Sequence, residues 1–225
     1  MSGVALAAVV ALWLWSRVSF RRGSRVRATS LASFVFLITE ALLGAGLVLF
    51  NYVDKDQSAG RASYLSLHLV NTLLLLGALA LTAWFSRETH RWGRRSPLVI
   101  AALPIAMLVT VTGAIAALGD TLFPATSLAQ GLRQDLSGGA SLLLRLRVLH
   151  PVFAIAGALY FAAASIVVLR TRPSKLAIYV LILALAQLAA GAINVILLAP
   201  VWMQITHLLL ADSLWIGLVL LAVEF

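Results

Sequence analysis

Apolar residues run through this chain in long blocks separated by short polar stretches, and block length is the first constraint on the fold. The runs near residues 1–16, 29–50, 65–86, 97–118, 147–170, 176–199 and 203–224 are almost free of charge. About 20 apolar residues cross the hydrocarbon core of a bilayer as a helix. The pattern therefore predicts an all-α polytopic membrane protein with seven transmembrane helices. A helix suits lipid because it satisfies its backbone polar groups internally. The first run is short for a span.

The polar stretches alternate in charge. Arg17, Arg21, Arg22, Arg25 and Arg27 follow the first span, Arg87, Arg91, Arg94 and Arg95 the third, and Arg170, Arg172 and Lys175 the fifth, which is twelve of the 17 basic residues. The opposite loops hold Lys55, Arg61, Arg133, Arg145 and Arg147, mixed with Asp54, Asp56, Asp120 and Asp135. Basic loops stay cytoplasmic, so Met1 is expected outside and Phe225 inside. In a bacterium this would be the inner (plasma) membrane, with the outer face periplasmic. No basic residue precedes the first apolar run and several follow it, which fits a span better than a cleaved signal. Trp15, Trp84, Trp92 and Trp202 fall near span ends, as interfacial anchors do. The longest loop, about 119–146, is expected at the outer mouth of the bundle.

Composition agrees. Of 225 residues, 62% are hydrophobic and 11% charged, with a mean hydropathy of +1.01. A soluble domain could not cover itself with so little polar material. The net charge of +9 would suit nucleic acid, but the cations sit in loops between spans, so nucleic acid is excluded as a partner and lipid is the surrounding phase. The absence of cysteine excludes disulfides, thiolate metal sites and covalent heme attachment through CxxCH.

Four histidines remain. His90 lies among arginines in an inner loop and reads as a solvated residue. His68, His150 and His207 each come early in spans three, five and seven, which all run from outside to inside. They therefore share one depth, about a turn below the outer interface. Ionisable residues inside a membrane are costly and mark function. One histidine could simply bond a neighbouring helix. Three at one depth point to metal ligation. Zinc would need further converging ligands, for which Asp54, Asp56 and Asp120 are available. Heme needs axial imidazoles, an apolar slot and cations for its propionates. Arg145 and Arg147 stand just outside His150, so heme fits the available groups better.

The second half echoes the first. Glu40-Ala-Leu-Leu-Gly44 in span two matches Gln187-Leu-Ala-Ala-Gly191 in span six, and a helix opening on a histidine, His68 or His207, follows each. This reads as a tandem parallel repeat of four-helix-bundle type with its first bundle incomplete: residues 1–96 a half-bundle, 97–225 a full one. By the repeat, the histidine equivalent to His150 would fall three residues before Met1. Either an N-terminal piece is missing from this chain or the protein is natively short. Glu40, near the middle of its span, is either a hydrogen-bonded structural carboxyl or a proton carrier. Asn71 shares the helix face of His68 and can bond near its ligand. Asp212, five residues after His207, does not share that face and reads as a packing group.

These residues resemble heme A synthase, a membrane enzyme of cytochrome oxidase assembly. Gly119-Asp-Thr-Leu-Phe-Pro124, Arg145-Leu-Arg-Val-Leu-His150 and the unit from Gln187 to His207 look like the family's second half, and Ser30–Ser86 like the latter part of its first. The resemblance implies oxidation of a methyl group of heme O to the formyl group of heme A, with oxygen from water and electrons passed to an unidentified acceptor. It implies heme b between His150 and His207 and heme O at His68; by their positions in the sequence, Arg145 and Arg147 would stand beside the first, and Asn71 and Glu40 near the second. It also implies heme O synthase or oxidase assembly factors as partners. The family's catalytic acid would lie upstream of Met1. The chain departs from the family at Pro151, where an arginine often stands, and in lacking the cysteines of some members. Two further readings stay open: a b-type cytochrome that only carries electrons, and a non-enzymatic heme-binding assembly factor.

Overall fold

The computed structural model describes residues 2–87 and 96–225, and every regular element within them is a helix. These are α1 (Ser2–Ser19), α2 (Arg25–Leu49), α3 (Ala59–Phe85), α4 (Pro97–Leu122), α5 (Leu128–Leu136), α6 (Leu142–Arg147), α7 (Leu149–Thr171), α8 (Lys175–Ile196) and α9 (Val201–Glu224). With α6 and α7 taken together, six are long and apolar enough to cross a membrane, and α1 is a shorter apolar helix. The chain is a multi-pass helical membrane protein, and the predicted spans correspond to α1, α2, α3, α4, α7, α8 and α9. His90, Arg91, Trp92, Arg94 and Arg95 lie outside the described residues.

Serine sets most helix starts. Ser24, Ser58, Ser127, Ser141 and Ser174 each accept a first-turn backbone N–H through the side chain. Ser58 explains why α3 begins at Ala59 rather than near 65: the cap satisfies a polar first turn that lies outside the apolar run. The long loop of about 119–146 folds into α5 and α6, which hydropathy alone did not indicate.

Both hairpins close in the same way. At the end of α2, Asn51 takes a positive φ of 56° and the Tyr52 amide reaches back to the Leu47 carbonyl. At the end of α8, Leu198 takes 61° and the Ala199 amide reaches the Asn194 carbonyl. This is the Schellman closure, favourable for Asn and strained for Leu.

α4, α7, α8 and α9 close into a ring, each touching the next, while α1 lies on α2, α2 on α3, and α3 against both α4 and α9. Small residues bring the helices close: Ala102, Ala177 and Ala184 are completely buried. The tightest core, including Val99, Phe161, Val168, Val180, Leu218 and Leu221, sits at the end of the bundle carrying the 170–175 loop. Trp215 joins α9 to α3 by donating to the Leu73 carbonyl at 2.5 Å. Tyr160 of α7 donates to the Leu98 carbonyl of α4 at 2.9 Å. Outward, Leu42, Leu49, Val152, Leu159, Leu185 and Leu209 are each more than half exposed, a surface suited to lipid.

Candidate functional site

The three helix-borne histidines occupy the end of the bundle opposite that core. The imidazoles of His150 on α7 and His207 on α9 approach to 6.4 Å between ring centroids, with their planes at 83°. Two imidazoles on opposite sides of one metal ion, each with a metal–nitrogen bond of about 2 Å, bring their centroids to about 6 Å. The spacing of the two rings is that of imidazoles able to share one metal ion.

Each histidine lies against a glycine of the preceding long helix. A Cβ at Gly113 of α4 would come within 3.0 Å of His150 Cε1, and one at Gly191 of α8 within 3.2 Å of His207 Cε1. At Gly44 of α2 the same distance to His68 Cε1 is 3.7 Å. The missing side chains make room for the rings. Gly44 and Gly191 are the echoed glycines of the repeat. Gly113 is a third that sequence reasoning missed, since a glycine in an apolar helix has many reasons to be there.

Polar neighbours differ from ring to ring. Thr112 Oγ1 lies 3.2 Å from His150 Nδ1 and orients that ring. Gln187 Nε2 lies 3.3 Å from His207 Nε2, while His207 Nδ1 and Gln187 Oε1 are buried without partners. At the third ring the equivalent residue is an acid: Glu40 Oε1 stands 3.6 Å from His68 Nδ1. Asn71 Nδ2 donates to Glu40 Oε2 at 2.6 Å and to the Phe36 carbonyl at 2.8 Å. Thr39 donates to Asn71 Oδ1 at 2.6 Å, and the Thr72 hydroxyl also donates to Glu40. Glu40 and Asn71 thus sit beside His68 as one hydrogen-bonded cluster. Asp212 stands apart, with Oδ1 buried and unpartnered.

A cavity of about 330 Å³ opens between α3 and α4, lined by Arg61, His68, Leu69, Thr72, Ala114 and Thr121 among others. Arg61, assigned to a loop by hydropathy, belongs to this wall because α3 starts earlier than the apolar run.

The two arginines before His150 are already engaged. Arg147 donates from Nη1 to Asp120 Oδ1 at 2.9 Å, and from Nε and Nη2 to Asp135 Oδ1 at 2.9 and 2.6 Å. It pins α5 to α4 and α6. A break at Val148 separates α6 from α7, so Arg147 and His150 do not share one uninterrupted helix face. Arg145 Nη2 donates to the Gly138 carbonyl at 2.8 Å. Among the described residues, no cluster of three or more His, Cys, Asp or Glu stands ready to hold a bare metal ion. The donor set is that of paired imidazoles.

The family described as cytochrome oxidase assembly protein (COX15-CtaA) matches residues 1–219. Two curated proteins named protoheme IX farnesyltransferase, from two strains of Thermus thermophilus, are each 42% identical over 230 residues. The match takes in 98% of this chain and 38% of theirs, so the chain spans about two fifths of the length of the curated relatives it matches. No solved structure matches the chain.

Proposed function

The chain belongs to the cytochrome oxidase assembly protein family, as the resemblance to heme A synthase implied, and from that premise we propose that it holds heme at its three outer histidines and oxidises heme O to heme A. The observation that carries this reading is the 6.4 Å approach of His150 and His207. These two would ligate heme b, and His68 would hold heme O in the neighbouring cavity. Bound heme b would supply a one-electron relay.

The chain's own residues supply position and polarity. Thr112 and Gln187 orient the two relay ligands. Gly113 and Gly191 leave space for them. Glu40, Asn71 and Thr72 form the polar floor of the His68 site, where a carboxylate can receive protons released as the methyl group is oxidised and oxygen enters from water. The electrons pass to an acceptor. The site would open on the periplasmic face of a bacterial inner membrane, with Met1 outside and Phe225 cytoplasmic. Heme O synthase and oxidase assembly factors would be the partners that deliver substrate and receive product.

The test is expression in cells supplied with heme O, followed by pigment extraction and mass measurement. A formyl-bearing heme supports the reading, and heme O recovered unchanged from a heme-loaded protein rejects it.

The name of the curated relatives supports a second reading, transfer of a farnesyl group to protoheme. More than half of those proteins lies outside the match, so that activity has ample room elsewhere in them. Displacing a diphosphate draws on Mg²⁺ held by carboxylates. Here Asp120 and Asp135 are both bound by Arg147. Incubation with protoheme and farnesyl diphosphate separates the readings, because a farnesylated product would assign the relatives' printed activity to this part of the chain.

A further inference from the structure

α3 opens with a cation where a helix disfavours one. Arg61 lies in its first turn, at the positive end of the helix dipole, and that turn holds no acidic residue. Two turns later comes His68, about 10 Å further along the axis. Both side chains line the same cavity, whose remaining wall is apolar except for two threonines.

Arg61 is held but not consumed. Its Nη1 donates to the main-chain carbonyls of Asp54 and Asp56 at 2.5 and 2.9 Å, which fixes the guanidinium. Its Nε is buried with no hydrogen-bond partner. It joins none of the ion pairs found among the described residues. Arg147, by contrast, is taken up by two aspartates. Arg61 thus leaves a guanidinium at the edge of the His68 cavity, with the Asp56 carboxylate as a charge neighbour. A ligand that matches the cavity carries a metal centre for the imidazole, an apolar body, and an anionic group about two helical turns away. A metalloporphyrin with carboxylates at one edge has that form.

We infer that Arg61 and His68 make a two-point clamp on an iron porphyrin, imidazole to metal and guanidinium to an edge carboxylate. The clamp sets orientation: the carboxylate edge faces the outer surface and the opposite edge enters the membrane. This rests on the heme reading of His68. Arg61 would act as a positioning residue, since its partner is an edge carboxylate and not the methyl group that reacts.

The test compares heme b as its free diacid with its uncharged dimethyl ester, titrated into the full purified chain and followed in the Soret band. The signal lost in His68→Ala isolates binding at this site. The diacid is expected to bind there about tenfold to hundredfold more tightly than the ester, the range of one charge-assisted hydrogen bond. Arg61→Gln should remove that preference, and Arg61→Lys should keep part of it. An undiminished preference in Arg61→Gln overturns the clamp. If that variant fails to fold, the unaltered chain decides, because a diacid-to-ester ratio near one overturns it equally. Titrations of His68→Ala that match the unaltered chain would instead sink the heme reading of His68.

Discussion

At His150 and His207 the deciding neighbours are glycines. A side chain at Gly113 must displace an imidazole 3.0 Å from its Cβ, whereas one at Gly44 meets His68 at an ordinary contact of 3.7 Å. The three positions should therefore respond in graded fashion. Gly44→Ala is expected to leave heme content unchanged. Gly113→Val is expected to cost about 1–3 kcal/mol of overpacking strain and to reduce the low-spin heme spectrum per mole of purified protein. Gly191→Val should resemble Gly113→Val. Equal heme content and equal melting temperature across the series would remove these glycines from the site.

At the scale of single elements, the two Schellman closures make a natural comparison. Asn51 accepts its left-handed backbone readily, and Leu198 does not. Leu198→Gly should stabilise the protein by about 1 kcal/mol, read as a higher melting temperature in detergent, while Asn51→Leu should lower it. The clasp formed by Arg147 is a second element-scale device. Its side chain is 12% exposed and serves two carboxylates. Removing it in Arg147→Ala strands both, at a cost of about 3 kcal/mol. The segment carrying α5 should then be cut sooner by protease than in the unaltered chain.

The same elements show what the sequence could disclose. The spans were legible because lipid demands long apolar runs, and the shared depth of the histidines followed from helix rise alone. The echo of Glu40-Gly44 in Gln187-Gly191 was legible as a repeat, but that each polar residue meets a histidine of the next helix was not. The clasp was not readable, because Asp135 meets Arg147 only after α5 folds back over α6. Nor was the place of Arg61, which depends on Ser58 starting α3 ahead of its apolar run. Hydropathy detects what lipid requires. Caps and ion pairs form in the interfacial layer, where it carries little information.

For the molecule as a whole, orientation is the property most open to measurement. The chain has no cysteine, so single cysteines can be introduced without altering any other thiol. In intact cells, an impermeant maleimide should label a cysteine at Asp54 or Gly138 and spare one at Gly23 or Arg172. The reverse pattern would invert the assignment of the two faces and place the histidines at the cytoplasmic end.

α4 has one more consequence at this scale. Gly113 faces His150 while Ala114, its immediate neighbour, lines the His68 chamber. A single helix, thinned at the glycine, thus stands as a party wall between the His150 ring and the His68 cavity. Under the proposed heme reading, an electron leaving one iron for the other would have only that partition to cross, with no mobile courier between them.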